Sequence, residues 1–352
     1  MSTHHACLRA ARRAILACAT VLCLLLLRAG PSAACDVCAV YTPCDECAVF
    51  DATVGARTRL GLRIGIASQY TQFATEQLNG VAQPNPYGEH LYSSITQVLV
   101  GYQFAKRVGL QLSLPVIVRS WRRVLADGDI QQSTRGGLGD LSILADVLAW
   151  NHTSDHGLIR FDLLGGLKLP TGDAGFLAEE LDENGAVAGA IARPSHGGVD
   201  DEIQSGVHGH DLAFGSGSVD GLVGLQIFGS WRRLFGSVTM QYKITTTGAY
   251  DYRYANDLIW SGGPGAWLLL DPKYTFSAQA LLTGETKGND KQKGVRFDDT
   301  GMTALYCGPA LNFTWGTSLS AEVAAPLPVL LHNTGYQIVP DFRLRSAVVW
   351  RF

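Results

Sequence analysis

The chain has 352 residues, of which 47% are hydrophobic and 17% are charged, against a usual charged share of about 25%. Its formal net charge of −3 shows no basic excess, which argues against a nucleic-acid partner. After residue 34 no apolar run is long enough to cross a bilayer as a helix, so an inner-membrane helical protein is disfavoured.

The N-terminal 34 residues have the pattern of a secretory signal peptide. Arginines precede the apolar run AILACATVLCLLLL, which is followed by small residues up to Ala34. This run is too short for a membrane helix, so we expect cleavage after Ala34. The alternatives are a retained amphipathic anchor, or lipid attachment at Cys35, which would need a leucine-like residue where Ser32 stands.

Residues 35–51 form a cysteine-rich segment, which we expect to lie in the periplasm. Its two C-x-x-C pairs are Cys35, Cys38, Cys44 and Cys47. The gap between the pairs is shorter than the roughly 15–20 residues of a zinc ribbon, and Ala39 and Ala48 stand where haem attachment needs histidine. Disulfides are the default in an oxidising compartment, while a metal site or a contact with a periplasmic redox partner stays open.

Most of the remaining chain alternates apolar and polar residues, which is typical of β-strands. The first such stretch is TRLGLRIGIASQY, and similar stretches follow up to the final DFRLRSAVVWRF. In that last stretch Phe342, Leu344, Ser346, Val348, Trp350 and Phe352 share one face, and the arginines occupy the other. Twelve strands are predicted in this way.

The connections between these strands alternate in length. Short links are expected near 105–107, 151–157, 229–234, 271–273 and 315–317, and long ones near 71–92, 121–137, 170–211, 247–257, 285–299 and 329–340. An even strand number with short turns at one end and longer loops at the other is typical of bacterial outer-membrane barrels. We therefore predict an all-β fold, a transmembrane up-and-down antiparallel β-barrel over residues 52–352, closed by pairing of the last strand with the first. A secreted soluble β-sandwich is the alternative.

Aromatic residues near the predicted strand ends support a membrane barrel. An amphipathic ring can lie at the membrane surface, and the expected belt comprises Tyr70, Tyr92, Trp121, Trp150, Trp231, Trp260, Trp315 and Trp350. Trp267 falls in mid-strand and does not fit the belt. The terminal Phe352 resembles the C-terminal signal that the outer-membrane assembly machinery reads.

Three stretches carry a family resemblance: GGLGDLSILADVLAW (136–150), GGLKLPTGD (165–173) and DLAFGSGSVDGLVGLQIFGSW (211–231). They resemble outer-membrane transporters grouped as the phenol meta-pathway degradation family, and the resemblance covers most of residues 52–352. It implies an outer-membrane channel that admits small, often aromatic, organic compounds. The N-terminal cysteine pairs depart from what the family name suggests.

Charged residues in the strands are expected to face the lumen, because a charge on the lipid face costs about 2–4 kcal/mol at the midplane. The first and last strands contribute Arg57, Arg59, Arg63, Arg343, Arg345 and Arg351, and the fourth to sixth contribute Asp140, Asp146, Arg160, Asp162, Lys168 and Asp220. A basic wall facing an acidic wall would select dipolar or anionic solutes. The alternative is that these residues form salt-bridged ladders that fill the lumen.

The third long loop contains further polar residues. His208 and His210 could bind a metal with Asp211 or Asp200, although a solvated acidic loop is the simpler interpretation. The same loop, 170–211, could fold inward as a constriction. No nucleophile with an oriented base is discernible, so the sequence predicts no enzyme and no cofactor.

The sequence thus predicts a channel in the outer membrane that contacts lipid and passes small organic solutes, aromatic or anionic ones among them. A scaffold that binds a metal or a redox partner through the cysteine pairs is the alternative.

Overall fold

The computed structural model describes residues 60–125, 127–180 and 205–352. The predicted signal peptide, the four N-terminal cysteines and the arginines at 57 and 59 lie outside this range. None of the helices in the described part of the chain is long and apolar enough to cross a membrane.

Twelve long strands form the body of the molecule, and we number them in chain order. They are β1 (Gly61–Leu78), β2 (His90–Ala105), β3 (Val108–Val124), β4 (Ser142–Ser154), β5 (Gly157–Lys168), β6 (Asp220–Trp231), β7 (Leu234–Ile244), β8 (Asp257–Leu270), β9 (Tyr274–Lys287), β10 (Met302–Trp315), β11 (Leu319–Ala324 and Leu327–Asn333) and β12 (Tyr336–Arg351). The break in β11 contains Pro326, which has no N–H for the ladder.

Each strand pairs antiparallel with its neighbours in the chain, and β1 pairs with β12, so the sheet closes into a barrel. In the closing seam Arg63 lies opposite Arg351 and Ser68 lies opposite Ser346. Closure leaves no free sheet edge among the twelve strands, which is what a sheet in lipid requires. The prediction of a 12-stranded barrel closed by its last strand is confirmed.

The five short links are confirmed, as they connect β2 to β3, β4 to β5, β6 to β7, β8 to β9 and β10 to β11 within two or three residues. The prediction of a sixth long link, near 329–340, is wrong. β11 and β12 extend further than the alternation indicated and are joined by the tight turn 334–335, in which Gly335 has φ +65°. A Cβ there would lie 2.6 Å from Asp299 Cα, so this turn favours glycine.

The second long link is also more ordered than expected. It contains a strand, Ile130–Leu138, that folds back along β3 and pairs with Val116–Val124. The sheet therefore continues above the barrel on one side, and β1 reaches 18 residues.

Alternation along each strand separates an apolar outer face from a polar inner one. Outward side chains include Ile66, Val100, Leu163, Val223, Leu311, Val323 and Val348, all between 40% and 60% exposed. Cys307 also faces outward from β10 and is exposed. The outer band is the surface that a bilayer covers, because a contiguous exposed apolar surface of this extent is unusual on a soluble monomer.

The aromatic belt is confirmed in part. Trp150, Trp231, Trp315 and Trp350 are exposed at the ends of strands next to the short turns. Trp121 is not a belt residue, because it points inward from β3 and is 1% exposed. Trp267 also points inward, which explains why it did not fit the belt.

The long loop between β5 and β6 folds into the mouth of the barrel. Its described parts contain a short 3-10 turn, Gly175–Ala178, and the helical turn Gly209–Leu212. These turns pack against inward side chains of the strands in one buried cluster of Leu91, Trp121, Phe176, Leu177, Val207, Leu212, Ala213, Tyr252, Tyr254 and Ile338. We call the described loop residues 169–180 and 205–219 the plug.

Candidate functional site: the barrel lumen

The predicted lumen charges on the described strands face inward, and those on the side of β4 to β6 pair with one another. Lys168 Nζ lies 2.7 Å from Asp140 Oδ2 and 2.9 Å from Asp220 Oδ2. On β5, Arg160 Nε lies 2.7 Å from Asp162 Oδ2, and both residues are almost fully buried. Buried charges need such partners, because an unpaired ion is costly to remove from water.

The arginines of the closing seam are distributed differently. Arg63 reaches Asp146 at 3.6 Å and Gln111 at 3.3 Å. Arg343 and Arg345 also face the lumen from β12. The basic seam is therefore present, but no continuous acidic wall faces it. The acidic side is neutralised by Lys168, Arg160 and Arg63, so the expected transverse field is replaced by local ion pairs.

One ion pair that the sequence did not indicate lies at the level of Arg343. Glu285, on β9, hydrogen-bonds to the Arg343 guanidinium, whose Nη2 also lies 3.3 Å from the Tyr306 hydroxyl. The guanidinium carbon stacks 4.3 Å from the centre of the Tyr306 ring. Glu285 was missed because its own strand, YTFSAQALLTGETK, gives no sign of the partner that the barrel brings to it.

A polar cavity of about 80 Å³ lies in the lumen at this level. Its lining includes Gln69, Gln97, Gln241, Thr283, Glu285, Glu322, Arg343 and Arg345. These residues come from β1, β2, β7, β9, β11 and β12. Since β1 and β7 are diametrically opposite in a 12-stranded barrel, the cavity reaches across the lumen.

Other parts of the lumen are filled by apolar side chains. Phe228, Phe235 and Trp267 form one buried cluster, with the Phe235 and Trp267 ring centres 4.7 Å apart. Leu144, Leu164 and Leu222 form a second cluster on β4 to β6. The open space is therefore displaced toward β1, β12 and β9, consistent with the expectation that side chains nearly fill a barrel of this size.

The plug lies directly above the cavity. Ile95 lines the cavity and also packs with Ile117 and the plug residue Phe214 in one buried cluster. Arg119 on β3 donates a hydrogen bond of 2.8 Å to the Ala213 carbonyl. The loop thus folds inward and narrows the mouth of the lumen.

Asp140 connects both segments of the plug to the barrel. We call residues 169–180 the outgoing limb and residues 205–219 the return limb. It accepts hydrogen bonds from Gly172 N at 3.0 Å and from the Ser216 amide and hydroxyl. Burial by itself would raise the pKa of Asp140, but the Lys168 charge and these hydrogen bonds hold that pKa below its usual value.

Glu89 provides a second attachment for the return limb. It accepts hydrogen bonds from Val124 N at 2.7 Å, Ser205 Oγ at 2.6 Å and Gly206 N at 2.8 Å. Gly206 in turn accepts a hydrogen bond from Ile338 N of β12. The return limb is thereby fixed to β3 and β12 at the mouth.

Of the predicted loop histidines, His210 forms a buried ion pair, and Asp200 lies outside the described residues. His210 Nδ1 lies 2.9 Å from Glu180 Oε1, and the His208 ring is tilted by 54° with its centre 5.4 Å from that of the His210 ring. Burial would lower the pKa of His210, but Asp211 and Glu180 raise it to about 10. No cluster of three or more metal-ligating side chains exists in the described ranges.

A closed antiparallel barrel with an apolar outer face, a charged inner face and an inward-folded loop defines an outer-membrane β-barrel, and the outer membrane is its location.

Comparison with known proteins agrees with this class. No protein-family model matches the sequence, and no curated relative matches it. Among solved structures, the chain is similar to an outer-membrane channel from Pseudomonas putida F1, with a TM-score of 0.53 and 14% identity over 84% of this chain and 96% of that one. This likeness supports the barrel fold.

Weaker similarities are found to other outer-membrane barrels. The translocator domain of the autotransporter NalP from Neisseria meningitidis gives a TM-score of 0.39 at 14% identity, over 84% of this chain and 89% of that one. A Pseudomonas aeruginosa FadL homologue gives 0.31 at 11% identity, over 83% and 89%. TM-scores this low support no conclusion about function.

Proposed function

We propose that the protein is a passive outer-membrane channel that passes small organic solutes through its charge-lined lumen. The observation that carries the proposal is the polar cavity that reaches across the barrel between β1 and β7, inside a wall whose outer face is apolar. A barrel that served only as an anchor would not need a hydrated space lined by amides, hydroxyls and charges at its centre.

The lumen charges are proposed to set which solutes pass. Lys168, Asp140 and Asp220 lie where the plug meets the barrel, and Arg63, Arg343 and Arg345 lie along the closing seam. A solute that leaves the plug region therefore meets paired charges first and the seam arginines afterwards. The resemblance to the phenol meta-pathway family supports an organic solute, and we propose membership of that family on the same ground.

The last strand is proposed to carry the assembly signal. Phe352 is 64% exposed beside the outward-facing Trp350, with ring centres 6.5 Å apart. An aromatic face at the end of the closing strand is available to the outer-membrane assembly machinery before closure. Removal of Phe352 is expected to slow insertion of the barrel without changing the conductance of molecules that do insert.

The function is tested with purified protein in planar bilayers and in liposomes. We expect discrete conductance steps in potassium chloride and liposome swelling in small organic solutes, with protein-free liposomes as the control. Correctly folded protein that shows neither conductance nor swelling, even when the plug is released by Asp140→Ala, would exclude a channel.

A further inference from the structure

Two opposite charges face the lumen cavity without neutralising each other. Arg345 on β12 and Glu322 on β11 both line it. Arg345 pairs with Ala324 and Glu322 pairs with Ala347, so the two charged residues are diagonal neighbours on one inner face, roughly 7–8 Å apart. Across the described part of the chain, neither side chain has a salt-bridge or hydrogen-bond partner.

A third polar group faces the cavity from β9, which is separated from β11 by one strand. The Thr283 hydroxyl on β9 is buried, with the residue 3% exposed, and has no hydrogen-bond partner within the described residues. A buried hydroxyl without a partner is costly, which points to a partner that occupies the cavity. Arg345, Glu322 and Thr283 thus surround one space.

The charges at this level favour a solute that carries both signs. Arg343 and Glu285 already pair, and Arg345 and Glu322 add one further charge of each sign, so the level has no net charge. An anion drawn to Arg345 is repelled by Glu322, and a cation drawn to Glu322 is repelled by Arg345. A solute with separated opposite charges is attracted by both.

The size of the cavity narrows the class of solute further. A closed protein cavity of about 150 Å³ holds benzene, whereas this cavity measures about 80 Å³. The space therefore fits a compact solute of a few heavy atoms better than an aromatic ring.

We infer that Arg345 and Glu322 form a binding step for small zwitterions of the α-amino-acid class, which rests on the proposed channel function. The carboxylate of the solute lies at the Arg345 guanidinium, its ammonium group lies at the Glu322 carboxylate, and the Thr283 hydroxyl hydrogen-bonds to the solute from β9. To bind, the solute needs only to displace water and to replace the weak attraction between the Arg345 and Glu322 side chains, which do not touch.

The test compares two isomers of the same composition, glycine as the zwitterion and glycolamide as the neutral probe. Liposome swelling through the wild-type protein is expected to be roughly two- to fivefold faster in glycine, a ratio that one ion-pair contact supplies. The double variant Arg345→Gln with Glu322→Gln is expected to bring the ratio close to one. The double variant Arg296→Gln with Asp298→Asn removes an exposed pair of the same charges outside the lumen, Nε to Oδ1 at 3.1 Å, and is expected to keep the preference.

The outcomes separate this inference from the proposed function. If the wild type passes both isomers equally, or the Arg345 and Glu322 double variant keeps the preference, the binding step is overturned while the channel remains. If folded wild type passes neither isomer and shows no conductance in salt, the channel itself is wrong. Glycine is also expected to reduce the potassium chloride current through the wild type but not through that double variant.

Discussion

Asp140 accepts two hydrogen bonds from Ser216, one from its amide at 2.9 Å and one from its hydroxyl at 2.8 Å. Asp140 lies two residues before the start of β4. Ser216 belongs to the return limb of the plug, 76 positions further along the chain. The plug is therefore fixed to the barrel by a buried carboxylate and does not rest in the mouth through apolar contacts alone.

Asp140→Ala is expected to release the plug. It leaves the Gly172 and Ser216 amides without their acceptor and leaves Lys168 paired with Asp220 alone, a loss of about 2–4 kcal/mol in the stability of the closed mouth. We expect a larger and noisier single-channel conductance in planar bilayers. Asp127→Ala, at an exposed position in the β3 loop, is the matched control and is expected to behave like the wild type. Equal conductance of the two variants would show that Asp140 does not hold the plug.

The Glu180 and His210 pair is expected to make closure dependent on pH. The His210 pKa is raised to about 10, so its contribution is complete below about pH 6.5 and is lost as the pH rises toward 10. Burial would raise the pKa of Glu180, but His210 lowers it to about 2, so its contribution is complete above about pH 4.5 and is lost as the pH falls toward 2.

We expect the lowest conductance between about pH 4.5 and 6.5, with a rise at both extremes. In His210→Gln the alkaline rise is expected to disappear, because the variant side chain does not titrate. His152→Gln, on an exposed part of β4, serves as the control and should preserve the wild-type profile. If the alkaline rise in conductance persists in His210→Gln, groups other than His210 cause it.

The barrel itself was predictable because the alternation of apolar and polar residues that produces it can be seen within each strand. Each strand alternates with a period of two, and the outward side chains of the last strand, Leu344, Val348 and Trp350, are exposed as the alternation indicates. The tight turn at 334–335 was not predictable from loop lengths, because apolar and polar residues on both sides of it permit either a loop or longer strands.

The site was less predictable because its contacts join residues that are distant in the chain. The inward position of Arg63 and Lys168 follows from their parity, but the choice of partners depends on strand order and stagger. Glu285 meets Arg343 over 58 positions, and Glu89 meets Gly206 over 117. Trp121 stands near the end of a strand, as a belt residue does, and only the inward loop explains why it is buried.

Trp121→Ala is expected to destabilise the mouth of the barrel. The Trp121 ring packs edge-on against Phe176, with centres 5.5 Å apart, and its removal from a buried cluster costs about 3–5 kcal/mol. We expect a lower denaturant midpoint and a raised conductance. Trp150→Ala, which removes an exposed outward ring of the same size, is expected to leave conductance unchanged. If both variants gave the same closed conductance, the cluster would not be needed for closure.

Reversal of the seam charges tests whether the lumen selects ions. Arg63→Glu is expected to shift the reversal potential in a salt gradient toward cations, and Arg345→Glu is expected to do the same, because each replaces a positive lumen charge with a negative one. Arg107→Glu, at an exposed position in the turn between β2 and β3, is the control. Unchanged ion preference in both lumen variants would leave these residues with a packing role.

The outward face of β12 gives the most direct test of the membrane barrel. Val348 is 51% exposed on the same face as Leu344 and Trp350, so Val348→Arg places a charge in lipid. We expect a loss of about 2–4 kcal/mol in stability if the position lies near the midplane, seen as poor refolding into liposomes and an earlier unfolding transition. Val348→Leu keeps an apolar side chain and is expected to refold like the wild type. If Val348→Arg refolds into bilayers as well as Val348→Leu, this face does not contact lipid, because an arginine there would otherwise have to lose its hydration without a partner.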